Sequence, residues 1–331
     1  MQGYIISKTD LKVKDTASII SYEINEDTAS PVQSSFSFAS APNASNDDYI
    51  LLRGVYLGII SGIEADKNTS VVTLRSLPVN SIFTRNILLG TPQAVTENYI
   101  LSAINDNFVN SGDTLFDIPY IAALSKTQTS LDITPHNENG IYSLDTFLRY
   151  CAMRHHIFAD FVITPEALNV GIENRMPPVH IIDATVADVL NLNETVVSDC
   201  VSKLTVKTLT SVLTYYLFDD GIFGTNPMAG IRVHGRVDTV YCENAADAEI
   251  TAGDLFAKNK YSHLIEAEIL SSSKLYDTAN MHLYDRVKLK TKTGVYDSYI
   301  SFKVQRSAAK TALFKFGDAR LTLTDKLKGV I

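Results

Sequence analysis

The sequence predicts a mainly β protein with an α+β insertion: two tube-like antiparallel β-barrel domains and an inserted α/β middle domain. Three observations predict it. Short β-rich pieces separated by turn residues fill both ends of the chain, helical apolar spacing is concentrated in the middle, and the two β-rich ends repeat one pattern at a constant offset.

The chain has 331 residues, which at about 100–200 residues per domain leaves room for two or three compact units. Hydrophobic residues make up 45% and charged residues 20%, the balance of a globular chain that folds throughout. The first β domain is placed at 1–85. Its strands are expected at 18–24, 34–38, 49–53, 55–64 and 71–75, with turns at Pro42-Asn43 and Asp66-Lys67-Asn68. Alternation such as Phe36/Phe38 marks one face of a strand as buried, and five or six such strands suit a small antiparallel barrel or sandwich.

The middle domain is placed at 86–195. Thr91-Pro92 predicts a helix start, with Thr as cap and Pro in the first position, followed by Val95, Tyr99, Ile100, Ala103, Ile104 and Phe108 at helical spacing and a stop at Asn110-Ser111-Gly112. A second helix is predicted from Ser143 to about His155, with Leu144, Phe147, Leu148, Cys151 and Ala152 along one stripe. A hairpin, 157–163 and 168–172 around Thr164-Pro165-Glu166, follows directly.

The second β domain is placed at 196–331. Its strands are expected at 203–207, 214–218, 231–240, 262–270, 286–290, 296–304 and 312–316, with a turn at Asp219-Asp220-Gly221 and a short inserted helix at about 245–258. Gly54-Val55-Tyr56 with Ile60-Ser61 matches Gly294-Val295-Tyr296 with Ile300-Ser301, every pair lying 240 residues apart. A polar turn and another strand follow each copy, so two copies of one β meander are expected.

Several function classes are disfavoured. Apolar runs such as 55–60 fall far short of the roughly 20 residues of a membrane-spanning helix, and the first ten residues lack the basic start and apolar stretch of a secretion signal. Synthesis and assembly in a cytoplasm are expected. Cys151, Cys200 and Cys242 are odd in number and scattered, which predicts reduced thiols. A net charge of -8 with no basic run argues against tight nucleic-acid binding.

Four places in the sequence offer candidate chemistry. Cys151 and His155 lie four apart on one helix and could form a thiolate–imidazole pair, but Cys151 lies on the apolar stripe. His155-His156 with Asp160 lacks a third ligand at metal-binding spacing. Asp219-Asp220 reads as a hairpin turn, and Glu266 with Glu268 as one face of a strand. No phosphate-binding loop, nucleophile elbow or His-Glu-x-x-His occurs. No catalytic, cofactor-binding or metal-binding residue is therefore assigned, no cofactor is expected, and the protein is not expected to be an enzyme.

The sequence resembles the hub proteins of phage tails, the siphophage tail-associated proteins and the central hubs of contractile baseplates. The resemblance rests on the strand at 54–61, the segment 73–77, the helix–hairpin stretch 149–161, and the C-terminal order Tyr-Tyr-Leu-Phe-Asp-Asp-Gly (215–221), 261–269, Leu-Tyr-Asp-Arg-Val-Lys-Leu (283–289), 299–304 and Phe-Lys-Phe-Gly-Asp (314–318). It implies a homotrimeric ring at the virion tail tip or baseplate, joining a sixfold tail tube to the tip and gating passage of DNA or effector. Its implied partners are a distal tail or tail-tube protein on one face and a tip, fibre or tape-measure protein on the other. DNA would transit without specific binding, and the chain itself would not insert in a membrane. Many relatives continue into peptidoglycan-cleaving or receptor-binding regions, so with this chain stopping at 329–331 any wall activity is expected elsewhere. A receptor- or carbohydrate-binding tail-tip protein is the alternative, since 16 Tyr and no Trp leave a sugar-stacking surface conceivable.

Overall fold

The computed structural model describes residues 1–65, 70–88, 90–91, 93–113, 115–130, 141–199, 201–217, 223–227, 236–257, 260–292 and 294–317. The expected turns at 66–68 and 219–221, Pro92, Cys200, the start of the strand expected at 231–240, and the terminus at 329–331 lie outside the described residues. The chain divides into two compact units. One comprises Met1–His180, Glu268–Arg286 and Ile300–Phe314; the other comprises Ile181–Ala267, Val287–Tyr299 and the segment from Lys315.

The first unit begins with a closed antiparallel barrel of six strands, β1 (Gln2–Ile6), β2 (Val13–Asp27), β3 (Ser34–Phe38), β4 (Tyr49–Leu52), β5 (Tyr56–Ala65) and β6 (Val72–Pro78). Their order is β1-β4-β5-β6-β3-β2, and β2 pairs back onto β1. Alternate residues point inward because strand side chains alternate faces. Ile5, Ile24, Phe36, Phe38, Ile50, Leu52, Ile60 and Leu74 are at most 1% exposed and fill the interior. The barrel is a packed core and not a pore, as expected for so few strands. Register shifts at Ile5/Ile6, Ile19/Ser21 and Ile60/Gly62 mark irregularities that let strands bend around so tight a cylinder. Tyr56 lies against Phe36, ring centres 5.2 Å apart, and its hydroxyl is within 2.9 Å of Ser76 Oγ, so this buried phenol is satisfied.

An α/β layer follows, with β7 (Asn86–Leu88), α1 (Thr96–Ile104), β8 (Ile121–Ser125), β9 (Ile141–Ser143), α2 (Leu144–His155), β10 (Ile157–Ile163) and β11 (Leu168–Asn174). β10 and β11 form the expected hairpin, β8 joins β11 in parallel, and β7 pairs with β9. Ser143 caps α2 through its hydroxyl, which accepts from the Thr146 N–H, and His156 ends the helix at φ +57°. α1 starts at Thr96, later than the Thr91-Pro92 signal implied. Its first turn is anchored by tertiary bonds: Thr96 N–H donates to the Thr129 carbonyl, and fully buried Glu97 accepts from the Thr127 hydroxyl and from the Thr129 N–H and hydroxyl.

In the second unit, β12 (Val179–Asp183), which begins at the unit boundary, and β13 (Val189–Asp199) precede a compact α+β layer. That layer holds β14 (Val201–Lys207), β15 (Val212–Leu217), β16 (Phe223–Gly224), β17 (Arg236–Tyr241) and α3 (Ala248–Ala257). The strands in 201–241, expected in the second barrel, instead form a four-stranded sheet of their own, β16-β15-β14-β17, with β14 and β17 parallel. Leu204, Val206, Tyr215 and Leu217 bury one face of it against Ala248, Ala252 and Phe256 of α3, an apolar match that draws these strands away from the meander.

β18 (Lys260–Leu270), β19 (Arg286–Lys290), β20 (Val295–Arg306) and β21 (Thr311–Gly317) complete the chain. β19, β20 and β21 pair in sequence order, as β4, β5 and β6 do. The sequence echo holds in burial: Tyr56 and Tyr296 are each 8% exposed, and Ile60 and Ile300 are both fully buried. The same 240-residue offset continues through Val72/Ala312, Leu74/Phe314 and Ser76/Phe316, all buried. The turns differ in detail. Gly54 lies at φ +69° with open space where a Cβ would be, whereas Gly294 is outside the left-handed region and sits under the Tyr296 ring.

Gly58 is the tightest point of the first barrel. A Cβ there would fall 2.5 Å from the Tyr56 ring and 2.6 Å from the Leu77 carbonyl oxygen. Gly58→Ala should destabilise the protein by about 1–3 kcal/mol, whereas at Gly62 the nearest atom, Arg75 Cβ, is 3.6 Å away and Gly62→Ala should be near neutral. Urea denaturation of the two variants checks this; equal midpoints would show that the close approach does not constrain the barrel.

Candidate assembly surface

The barrel wall has two characters. Outward residues of β1, β4 and the start of β5, namely Ile6, Tyr49, Tyr4, Leu51, Leu57 and Ile59, join one apolar cluster with Phe83, α1, α2, β10 and β11. Tyr49 places its hydroxyl 3.1 Å from that of Tyr120, and burial, reinforced by this contact, raises the Tyr49 phenol well above its ordinary range.

On β3 and β6 the outward residues include Ser35, Ser37, Thr73 and Arg75, with the Ser37 and Thr73 hydroxyls 3.1 Å apart. Arg75 donates to both oxygens of Glu64 at 3.0 and 3.1 Å, and Arg306 donates to Glu23 at 2.7 Å. These pairs are exposed enough to contribute only about 0–1 kcal/mol each. Their chief effect is electrical: the wall is hydroxyl-rich and locally neutral, though the chain is acidic.

At the start of α2 lies a knot of buried polar groups. Asp145 and Arg149 form an i,i+4 ion pair at 2.7 Å with side chains only 5% and 12% exposed. Asn80 Nδ2 donates to Asp145 at 2.6 Å, and Arg149 Nη1 donates to the Asp27 carbonyl at 2.6 Å, tying α2 to the end of β2. Tyr284, at φ +68°, stands near Arg149, and burial pushes its phenol up to about 12. Close by in sequence, Asp285 accepts from the His282 N–H at 2.8 Å and contacts His180 Nε2 at 2.9 Å, while buried Lys303 donates to the Met281 carbonyl at 2.7 Å. The 281–285 segment is thus held by side chains distant in sequence. The i,i+4 spacing of Asp145 and Arg149 is the one trace of the knot that the sequence carries, and it does not name the partners.

The chemical candidates are placed apart from any common site. Cys151 is fully buried, and burial pushes its thiol up to about 12, which removes the thiolate a nucleophile needs. The His155 ring meets Tyr150 edge-on at 5.5 Å. His156 serves as helix cap, its N–H donating to the Cys151 carbonyl. Burial works against the Asp160 carboxylate, but Arg175 at 2.8 Å and Lys126 at 3.6 Å outweigh it and hold the group below its ordinary range. Glu266 pairs with Lys315 at 3.2 Å. Asp219 and Asp220 lie outside the described residues. Among the described residues, no three His, Cys, Asp or Glu side chains gather as a metal site, and no helix is long and apolar enough to cross a membrane.

No protein-family model and no curated protein matches the sequence. Solved structures do match it, along nearly the full length of both chains. A tail protein from Neisseria meningitidis is 12% identical with a TM-score of 0.52, covering 98% of each chain. The prophage tail protein gp18 from Listeria monocytogenes is 10% identical with a TM-score of 0.52, covering 100% of this chain and 98% of that one. A chain of the phage p2 virion baseplate, in its activated conformation, is 10% identical with a TM-score of 0.54, covering 96% and 99%. The fold is that of phage tail and baseplate proteins. Within this tail-protein fold, the barrel supplies both an apolar wall covered by its own chain and a neutral polar wall.

The buried knot generates a test. Asp145→Ala leaves Arg149 buried without its carboxylate and should cost about 3–5 kcal/mol. Thermal or urea unfolding measures it; a loss below about 1 kcal/mol, the range of exposed pairs, would show that the knot is not needed to hold α2.

Proposed function

We propose that the chain is a structural, non-catalytic hub subunit of a phage tail tip or baseplate, or of a related injection machine. Three copies form a ring that joins a sixfold tail tube to the tip and gates passage of DNA or effector. Its neighbours are a distal tail or tail-tube protein on one face and a tip, fibre or tape-measure protein on the other. Division into a barrel to about residue 85, a middle domain to about 195 and a second barrel with an insertion belongs to this proposal.

The observation that carries it is the closed barrel with one covered apolar wall and one neutral hydroxyl wall, in a fold that runs the length of tail and baseplate proteins. A doubled β unit in a threefold ring presents six similar elements to a sixfold tube. A lumen that passes DNA must not hold phosphates, and a wall whose arginines are each engaged by a glutamate meets that need.

Imaging of the assembled particle should place this subunit in a threefold ring with both β units facing the channel. A peripheral monomer, or a ring of another order with the barrels outward, overturns the assignment. Independently, Ser35→Lys with Thr73→Lys should leave assembly intact and slow DNA release at low salt, the slowing fading as salt rises. Release kinetics unchanged at every salt concentration would mean that this wall does not face the DNA.

A further inference from the structure

The two copies of the β meander make the same bonds at the point where the long strand parts from its first partner. The Asp47 N–H donates to the Ile60 carbonyl and the Ile60 N–H to the Asp48 carbonyl, both at 2.8 Å; Tyr284 and Asp285 bond Ile300 in the same way, both at 2.9 Å. Asp47 and Tyr284 also share a left-handed backbone, φ +69° and +68°. From that point the copies differ. Past Ile300, β20 receives a new strand: the Thr28 N–H donates to the Ser301 carbonyl, and Glu23–Asp27 of β2 pairs antiparallel with Phe302–Arg306. Past Ile60, Gly62–Ala65 of β5 pairs with β6 on one side and, among the described residues, with no strand on the other.

Exposure follows this difference. Lys303 and Val304 are 2% and 3% exposed, whereas Ile63, 240 residues before Lys303, is 44% exposed and Glu64 beside it is exposed too. An unpaired strand edge bearing an exposed isoleucine is a template for pairing with another chain. The sheet order indicates which strand fits it. That order runs β5-β6-β3-β2 and then β20-β21-β18-β13, so β13 stands beside β18 as β2 stands beside β3. Among the described residues, β13 pairs with β18 alone.

We propose that β13 of one copy adds to the open edge of β5 in the next copy, continuing between chains the sheet that β2 and β20 continue within one. The inference rests on the ring reading above and names the contact that makes the ring. The two edges belong to different strands, so the contact is head-to-tail, and such contacts close into rings when the rotation permits. Main-chain hydrogen bonds supply the affinity of a strand addition. On β20 the bonds of Ser301 to Thr28 and of Ser307 to Tyr22 fix which alternate residues face β2, namely 301, 303, 305 and 307. At the 240-residue offset, Ser61, Ile63 and Ala65 present their N–H and C=O groups to the incoming strand.

The test uses the full chain, with sedimentation over a wide concentration range and backbone hydrogen exchange. Ile63→Pro removes one N–H aimed at the incoming strand, a change that an open edge tolerates within a single copy. It should weaken self-association by at least about tenfold, since the bond is lost and the ring obstructs the approach. Ile63→Val keeps the N–H and should associate like the native chain. Circular dichroism and unfolding midpoints verify that each variant folds. When the native chain associates, exchange should slow at 61–65 and across β13, Val189–Asp199, together. This second measurement needs no variant, so it decides even where Ile63→Pro fails to fold. A folded Ile63→Pro that associates like the native chain overturns the proposal, as does protection of 61–65 without protection of β13. So does a native chain that stays monomeric at millimolar concentration. A threefold assembly in which 61–65 exchanges as in the monomer would sink this contact and leave the ring reading standing. Joint protection in an assembly of another order would do the reverse.

Discussion

Closure of the six-stranded barrel is the constraint on which the first unit depends. A ring of six strands encloses little space, so its inward rows must be filled by large apolar side chains and its strands must bend. Phe36, Phe38, Ile60 and Leu74 meet the first demand, and the register shifts on β1, β2 and β5 meet the second. Closure pairs the barrel's strands with one another, except that Glu23–Asp27 of β2 also pairs with Phe302–Arg306 of β20. Elsewhere its contacts are made by outward side chains, and the outer wall is differentiated accordingly.

That differentiation organises the rest of the unit. Tyr49, Leu51 and Ile59 present an apolar strip to which α1, α2 and the β10–β11 hairpin adhere, and the Asp145/Arg149 knot fixes α2 on the Asp27 carbonyl at the end of β2. Hydrophobic packing is non-directional, so it brings the layer onto the wall without choosing a register. The buried hydrogen bonds choose it, because any displacement would strand Arg149 away from its acceptors. The remaining wall carries hydroxyls and internally balanced charges.

The repeated meander runs through both units: Tyr296 of the second and Ile300 and Phe314 of the first are buried at the positions of Tyr56, Ile60 and Leu74. The stretch between β13 and β18 builds a separate two-layer element with its own core. An inserted layer of that kind can acquire contact surfaces without disturbing the rows that pack the meander.

The sequence by itself determined the mainly β class, the start of α2 at Ser143, the β10–β11 hairpin and the 240-residue repeat, because each is written in local periodicity or in a cap within a few residues. It also disposed of the thiolate–imidazole idea, since the apolar stripe through Cys151 already placed that thiol in the core. Only the tertiary structure decided where α1 begins, because Glu97 is anchored by Thr127 and Thr129 from some 30 residues away. Likewise, the strands at 201–241 leave the meander because β14 pairs with β15 and with β17 in parallel, and pairing partners are not encoded in alternation. The polar knot and the two-sided barrel wall were illegible for the same reason. Their members are drawn from Asp27, Asn80, Asp145 and Arg149, or from neighbouring strands of a closed ring, and long-range register sets which of these meet.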